Sequence, residues 1–197
     1  MKTVDEVWDE LIIYWKKNEP SFDGCVGASD EEIEELEKEI RMKLPIDLKM
    51  SLKHCNLYPS DYTKVQKSLA CFLGEFGTLH NTDEIKKFVK IELDKYVEYP
   101  YENVYGNIKS PKDGWSKKWI PIYSYNGDIE FVIDMREDEF QPILYVDNEF
   151  DILALVANSY QEFLNMVLDS ILKTGLYASE ELENIMLRYG VSNSEEE

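Results

Sequence analysis

Two apolar runs, residues 119–123 and 129–134, flank the dipeptide Asn126-Gly127, and no other stretch constrains the fold as much. Asn-Gly readily takes the left-handed backbone that a tight hairpin needs to match the twist of its strands. Ile129, Phe131 and Ile133 alternate with Glu130 and Val132, the pattern of a sheet with one face packed on a core. An acidic turn over 136–139 leads to a third run, 143–146. The expectation is an antiparallel β-meander, whose apolar face the rest of the chain must cover with helices.

Helix signals lie on both sides of it. Val4, Val7, Trp8, Leu11, Ile12 and Trp15 recur at the helical period and stop before Pro20. After a loop containing Gly24 and Gly27, Ser29 is a good N-cap. Glu32, three residues on, can close a capping box, and Asp30, Glu31 and Glu32 sit where the helix dipole favours negative charge. Ile33, Leu36 and Ile40 make one stripe, ended by Leu44-Pro45. Pro45 suits the first turn of a third helix carrying Ile46, Leu48, Met50 and Leu52 and finishing near His54. Residues 56–67 read as loop and 69–73 as a short strand. Thr82 is expected to cap a helix with Ile85, Phe88 and Val89. Residues 96–115 lose all periodicity among Pro100, Gly106, Pro111 and Gly114. Residues 152–173 read as one long helix with Ile152, Leu155, Val156, Ser159, Phe163, Met166, Val167 and Ile171 inward, stopped by Gly175. Ser179 would cap a last helix through Tyr189. No repeat or linker is visible, so the expectation is a single α+β domain over 1–191 with a frayed acidic tail, 192–197.

With 197 residues, 44% hydrophobic, 13 tyrosines and four tryptophans, the chain has material for one good core and is not a disordered acidic polymer. Its longest apolar run, 152–157, is far too short for a bilayer, and the first residues lack a signal-peptide core. A soluble, cytoplasmic protein is expected. Cys25, Cys55 and Cys71 are odd in number and far apart in sequence, with no Cys-x-x-Cys pair. They read as plain thiols, with neither a disulfide framework nor a zinc site, and Cys71 as a small buried hydrophobe. The net charge is −19, split as −7, 0, −5 and −7 over successive fifties. Such a surface repels nucleic-acid phosphates and anionic lipid and attracts a basic protein, or it serves solubility alone.

A catalytic constellation is hard to find. His54 beside Cys55 suggests a nucleophile and base, yet sequence neighbours point to different faces; His54 and His80 read more simply as helix-end histidines. Asp128, Asp134, Glu137, Asp138 and Glu139 cluster around the meander. They match no EF-hand loop, and no phosphate-binding loop accompanies them, so turn residues are the simpler reading. No catalytic residue, cofactor or metal is expected. The better lead is Tyr96, Tyr99, Tyr101 and Tyr105, with Trp115 behind them. Tyrosines on an irregular segment suit a protein interface, unless they pack that segment onto the core.

The order of these landmarks carries a resemblance. Gly27-Ala28-Ser29 and its capped helix, Leu44-Pro45, Trp119-Ile120-Pro121-Ile122, Asn126-Gly127-Asp128, Phe131-Val132-Ile133-Asp134 and Ala157-Asn158-Ser159-Tyr160-Gln161-Glu162-Phe163-Leu164 follow one another as in the SUKH superfamily. The chain resembles that family from Val4 to Leu172. It departs at Cys55-Asn56-Leu57, where relatives often carry an asparagine–glycine pair. The superfamily contains bacterial immunity proteins and the yeast cell-wall-assembly-regulator domain. The resemblance therefore implies a non-enzymatic domain that binds and neutralises a basic toxin domain, such as a nuclease, or else a regulatory scaffold module. A metal-dependent hydrolase built on the meander carboxylates ranks last. For the first role, Tyr96, Tyr99, Tyr101 and Tyr105 are the expected anchors, and Asp128, Glu137, Asp138 and Glu139 would steer charge.

Overall fold

A computed structural model describes residues 1–18, 22, 24–56, 77–95, 97–98, 114–125, 129–136, 139–147 and 152–174. In chain order these form α1 (Val4–Asn18), α2 (Asp30–Ile40), α3 (Ile46–His54), β1 (Gly77–Leu79), α4 (Thr82–Lys95), β2 (Val97–Glu98), β3 (Gly114–Trp115), β4 (Trp119–Tyr125), β5 (Ile129–Asp134), β6 (Ile143–Asp147), β7 (Ile152–Ala157) and α5 (Tyr160–Thr174). The expected α+β architecture is present. An antiparallel sheet has the order β1-β4-β5-β6-β7, and β2 pairs with β3 in a small parallel ribbon. The expected strand at 69–73 and the helix after Ser179 lie outside the described residues.

Two expectations need correction. Residues 152–157 are not the start of a long helix but the strand β7, paired with β6 from Asp147↔Ile152 to Ile143↔Ala157. A short continuous apolar run fits a buried strand as well as a buried helix, so periodicity alone cannot separate them. The boundary is written in the next residues. The Ser159 hydroxyl accepts from the Glu162 N–H at 3.1 Å, while the Glu162 carboxylate accepts from the Asn158 N–H at 2.8 Å, capping α5. At α4 the cap is likewise one residue earlier than expected. Asn81 and Glu84 exchange hydrogen bonds of 2.9 and 3.0 Å, and Thr82 is engaged elsewhere.

The sheet also departs from one-sided packing. On one face Phe131 sits edge-on to Tyr123 and Tyr145, with centroids 5.6 and 5.5 Å away, and 5.7 Å from Phe163 of α5. Such contacts add about 0.5–1.5 kcal/mol each beyond the area they bury. On the other face Val132, Leu144, Glu130 and Asp134 are buried as well. Alternation reports polarity, not what later packs on top. Asp134 is answered by the Arg136 guanidinium, with Nε 2.8 Å from Oδ1 and Nη2 2.5 Å from Oδ2, and that guanidinium lies 5.8 Å over the Trp119 ring.

Pro121 stands in an interior strand, where a residue without an N–H is tolerated only at an irregularity. The ladder steps from Pro121↔Val132 to Tyr123↔Phe131, leaving Ile122 as the extra residue of a bulge. The freed Ile122 carbonyl accepts from the His80 N–H at 2.9 Å. The His80 ring is buried, stacked 4.4 Å from Phe88, with Nε2 3.0 Å from the Ser124 hydroxyl. Burial outweighs the nearby Pro121 carbonyl and drives its pKa from 6.5 down to about 3, so it is held neutral.

The helices are tied together by buried polar contacts. Trp8 Nε1 donates to the Ser51 hydroxyl at 2.9 Å, and that hydroxyl is 2.9 Å from the Tyr160 hydroxyl, which joins α1, α3 and α5. Asn165 and Gln161 of α5 hold the Lys2 backbone, its N–H on Asn165 Oδ1 and its carbonyl under both amides. The connection ahead of α2 runs against the end of α3: Ala28 N–H bonds Leu52 O at 2.8 Å and Asn56 N–H bonds Val26 O at 2.7 Å. Between them Gly27 passes so close that a Cβ would lie 1.7 Å from the Lys53 carbonyl oxygen. The side-chain amide of the same Asn56 grips the first residue of α4, accepting from Thr82 N–H at 2.9 Å and donating to its hydroxyl at 3.2 Å.

Glu37 turns inward from α2. Its carboxylate takes the Leu44 N–H at 2.8 Å, Lys43 at 2.6 Å and Lys49 at 2.5 Å, and its side chain is 5% exposed. It thereby closes the turn into α3. Burial opposes the charge, but the Lys43 and Lys49 ammonium groups and the Leu44 N–H outweigh it and hold the pKa at about 2.

Gly27→Ala is expected to lower stability by about 3 kcal/mol, read by urea unfolding, because backbone rather than a flexible side chain must give way. Glu37→Gln is expected to cost about 1–3 kcal/mol at pH 7. The pH dependence separates the two buried groups. His80 has a folded pKa below its ordinary 6.5, so the unfolded chain takes up its proton first and stability declines as pH falls from about 6.5 towards 3. Glu37, depressed from 4.5 to about 2, loses its contribution over that lower window. Unfolding across a pH series should show both declines in the native chain and only the upper one in Glu37→Gln.

Candidate functional site

The capping box expected at Ser29 is present: Glu32 N–H donates to the Ser29 hydroxyl at 3.1 Å, and Ser29 N–H donates to the Glu32 carboxylate at 2.7 Å. With the start fixed by this cap and the far end by Glu37, α2 has a defined roll. Ile33, Leu36 and Ile40 enter the core, and Asp30, Glu31, Glu34, Glu35 and Glu39 face outward with Lys38. Asp30 meets Lys53 at 2.5 Å, both partly exposed. Glu35 and Glu39 look toward Lys86 of α4, which is itself 2.8 Å from Asp83. Glu31 and Glu34 project into solvent. The outer surface of α2 is a ridge of negative charge on a rigid element. The apolar stripe Ile33, Leu36 and Ile40, set among acidic residues, is its trace in the sequence.

Past the end of α2, Arg41 takes a left-handed backbone (φ 57°), its N–H returning to the Glu37 carbonyl. A cleft of about 260 Å³ opens there against α4, lined by Glu39, Ile40, Arg41, Lys86, Val89 and Lys90. Its lining holds three basic groups and one acidic, and Lys86 among them is paired with Asp83 outside the cleft.

Of the residues expected to form a binding site, Glu139 is exposed between β5 and β6. Tyr96, Tyr99, Tyr101, Tyr105, Asp128, Glu137 and Asp138 lie outside the described residues. Asp134, weighed as a cation ligand, is committed to Arg136. No group of three or more His, Cys, Asp or Glu side chains able to hold a metal occurs among the described residues.

His54 and Cys55 have different partners. His54 Nε2 lies 2.7 Å from Asp5, and its ring stacks on Trp8 at 6.3 Å. The Cys55 thiol points into the core, beside the thiol of Cys25, and burial pushes its pKa up. Its proton is held by burial while His54 is engaged with Asp5, so the two do not form a nucleophile–base couple. Among the described residues no helix is long and apolar enough to cross a membrane.

Compared with known families, residues 27–166 match the model described as the SMI1 / KNR4 family (SUKH-1). The match begins at the glycine that passes over Lys53 and ends within α5. No curated protein matches the chain.

Proposed function

Because the chain belongs to the SMI1 / KNR4 family (SUKH-1), we propose that it is a cytoplasmic, non-enzymatic protein-binding domain that acts as an immunity protein. Its partner in this reading is a basic toxin domain, such as a nuclease, whose site it covers. The observation that carries the proposal is the outer face of α2, where Glu31 and Glu34 stand in solvent on a helix fixed at both ends, in a chain of net charge −19. Complementary charge speeds encounter and rejects wrong partners, and a rigid ridge keeps its carboxylates in register. Glu139 is exposed, and Asp128, Glu137 and Asp138 of the sequence are proposed to add to the charge that steers the partner. Tyr96, Tyr99, Tyr101 and Tyr105 are proposed as the aromatic anchors that give residence time. The same charge disfavours nucleic acid and anionic membranes as partners.

The test is co-purification with a toxin domain encoded beside this gene, followed by titration of that toxin's activity. A 1:1 complex that abolishes activity and weakens with salt is expected. Glu31→Lys combined with Glu34→Lys should slow association and weaken binding about tenfold or more at low salt, with the difference shrinking as salt rises. Retention of full toxin activity at saturating protein would overturn the immunity role. Capture of signalling proteins alone would place the chain with the regulatory modules instead.

A further inference from the structure

Two of the three cysteines, thirty positions apart in sequence, meet in the fold. Cys25 lies on the connection between α1 and α2, half-buried; Cys55 is the C-cap of α3 and buried in the core. The backbone around them is already crossed and bonded, Val26 to Asn56 at 2.7 Å and Ala28 to Leu52 at 2.8 Å, with Gly27 pressed on the Lys53 carbonyl. That crossing sets Cys25 against the core cluster that holds Cys55, with the two thiols as electrostatic neighbours. Both sulfurs are free thiols in this structure.

We propose that Cys25 and Cys55 form a peroxide-responsive redox latch, in which oxidation joins them as a disulfide that staples the α1–α2 connection to the end of α3. The solvent-reachable Cys25 sulfur is the one that meets the oxidant. Its attack on hydrogen peroxide forms an S–O bond as the O–O bond breaks, giving a sulfenic acid and one water. The Cys55 sulfur then attacks the Cys25 sulfur. The S–O bond breaks, the hydroxyl leaves with the Cys55 proton as a second water, and the disulfide remains. Peroxide is reduced and the thiol pair oxidised, with no other reactant. A cellular dithiol reductant reverses the bond by exchange.

The consequence follows from what the crossing holds. Val26, Gly27 and Ala28 lead into the Ser29 cap of α2, and Asn56 grips Thr82 at the start of α4. A covalent tie between residues 25 and 55 would fix the relation of both helices where only hydrogen bonds fix it now. In a reducing compartment such a bond is transient, which is the behaviour of a sensor and not of a structural staple.

The experiment uses the full chain with Cys71→Ser, so that only this pair can react. After stepwise hydrogen peroxide, peptide mapping without reductant should show the Cys25 and Cys55 peptides linked, with loss of two hydrogens from the intact chain. The Tm should rise by roughly 5–15 °C, and dithiothreitol should reverse both changes. Cys25→Ser should abolish the link and the shift while folding normally, since position 25 is only half-buried; Cys55→Ala checks the other side. Cys25 advancing to sulfinic acid with Cys55 unreacted, or only intermolecular disulfides, would overturn the proposal. None of these readouts needs a toxin partner, so failure here leaves the immunity reading untouched.

Discussion

The backbone crossing between residues 26–28 and the end of α3 is the contact on which the helical half of this domain depends. Two amide hydrogen bonds, Ala28 to Leu52 and Asn56 to Val26, lock a connection to a helix terminus at a distance that only glycine permits at position 27. From there order spreads in both directions. Immediately past the bond from Ala28 to Leu52, the chain is delivered to Ser29 in the extended conformation an N-cap requires, and α2 starts. Beyond the bond to Val26, the side chain of Asn56 spans 26 sequence positions to satisfy the buried N–H of Thr82, and α4 starts. Two helices that pack on each other thus take their origins from one pair of strands of backbone.

Charge is sorted on the same frame. α2 carries carboxylates on nearly every side, and its roll decides which become structure and which become surface. Glu37 is drawn inside, where two lysines and an amide N–H hold it ionised, while Glu31 and Glu34 are left to solvent. An acidic helix with no inward anchor would roll more freely and present a blurred field. The buried carboxylate gives the exposed ones a fixed direction.

Local chemistry made part of this legible. The Ser29–Glu32 box, the stripe of α1, the turn at Leu44-Pro45 and the hairpin strands are each set by neighbours within a few positions, and each stands where the sequence places it. What failed was long-range. The run 152–157 becomes a strand because β6 is there to pair with it, and Ser159-x-x-Glu162 marks where the helix starts. His80 reads as a helix-end residue and is buried, because a bulge at Pro121 frees a carbonyl for its backbone and Ser124 meets its ring. Glu130 and Val132 share a buried face despite opposite polarity. The candidate site was legible as net charge and as the apolar stripe of α2 that leaves its acidic residues outward. The face that carries it emerges once Glu37 fixes the roll of α2, and Cys25 and Cys55 become neighbours only through the crossing.

The clasp on Lys2 has a consequence for how the protein is made. Its N–H and carbonyl are held by Asn165 and Gln161, more than 150 positions later in the chain. The ribosome delivers residues from the amino end, so the first helix emerges with its partners in α5 not yet synthesised. During that interval Trp8, Leu11 and Trp15 have α3 and Phe22 to lean on but not α5. Closure of this core must await the last described helix, which makes the opening segment of the chain the natural client of whatever guards nascent apolar surfaces in the cell.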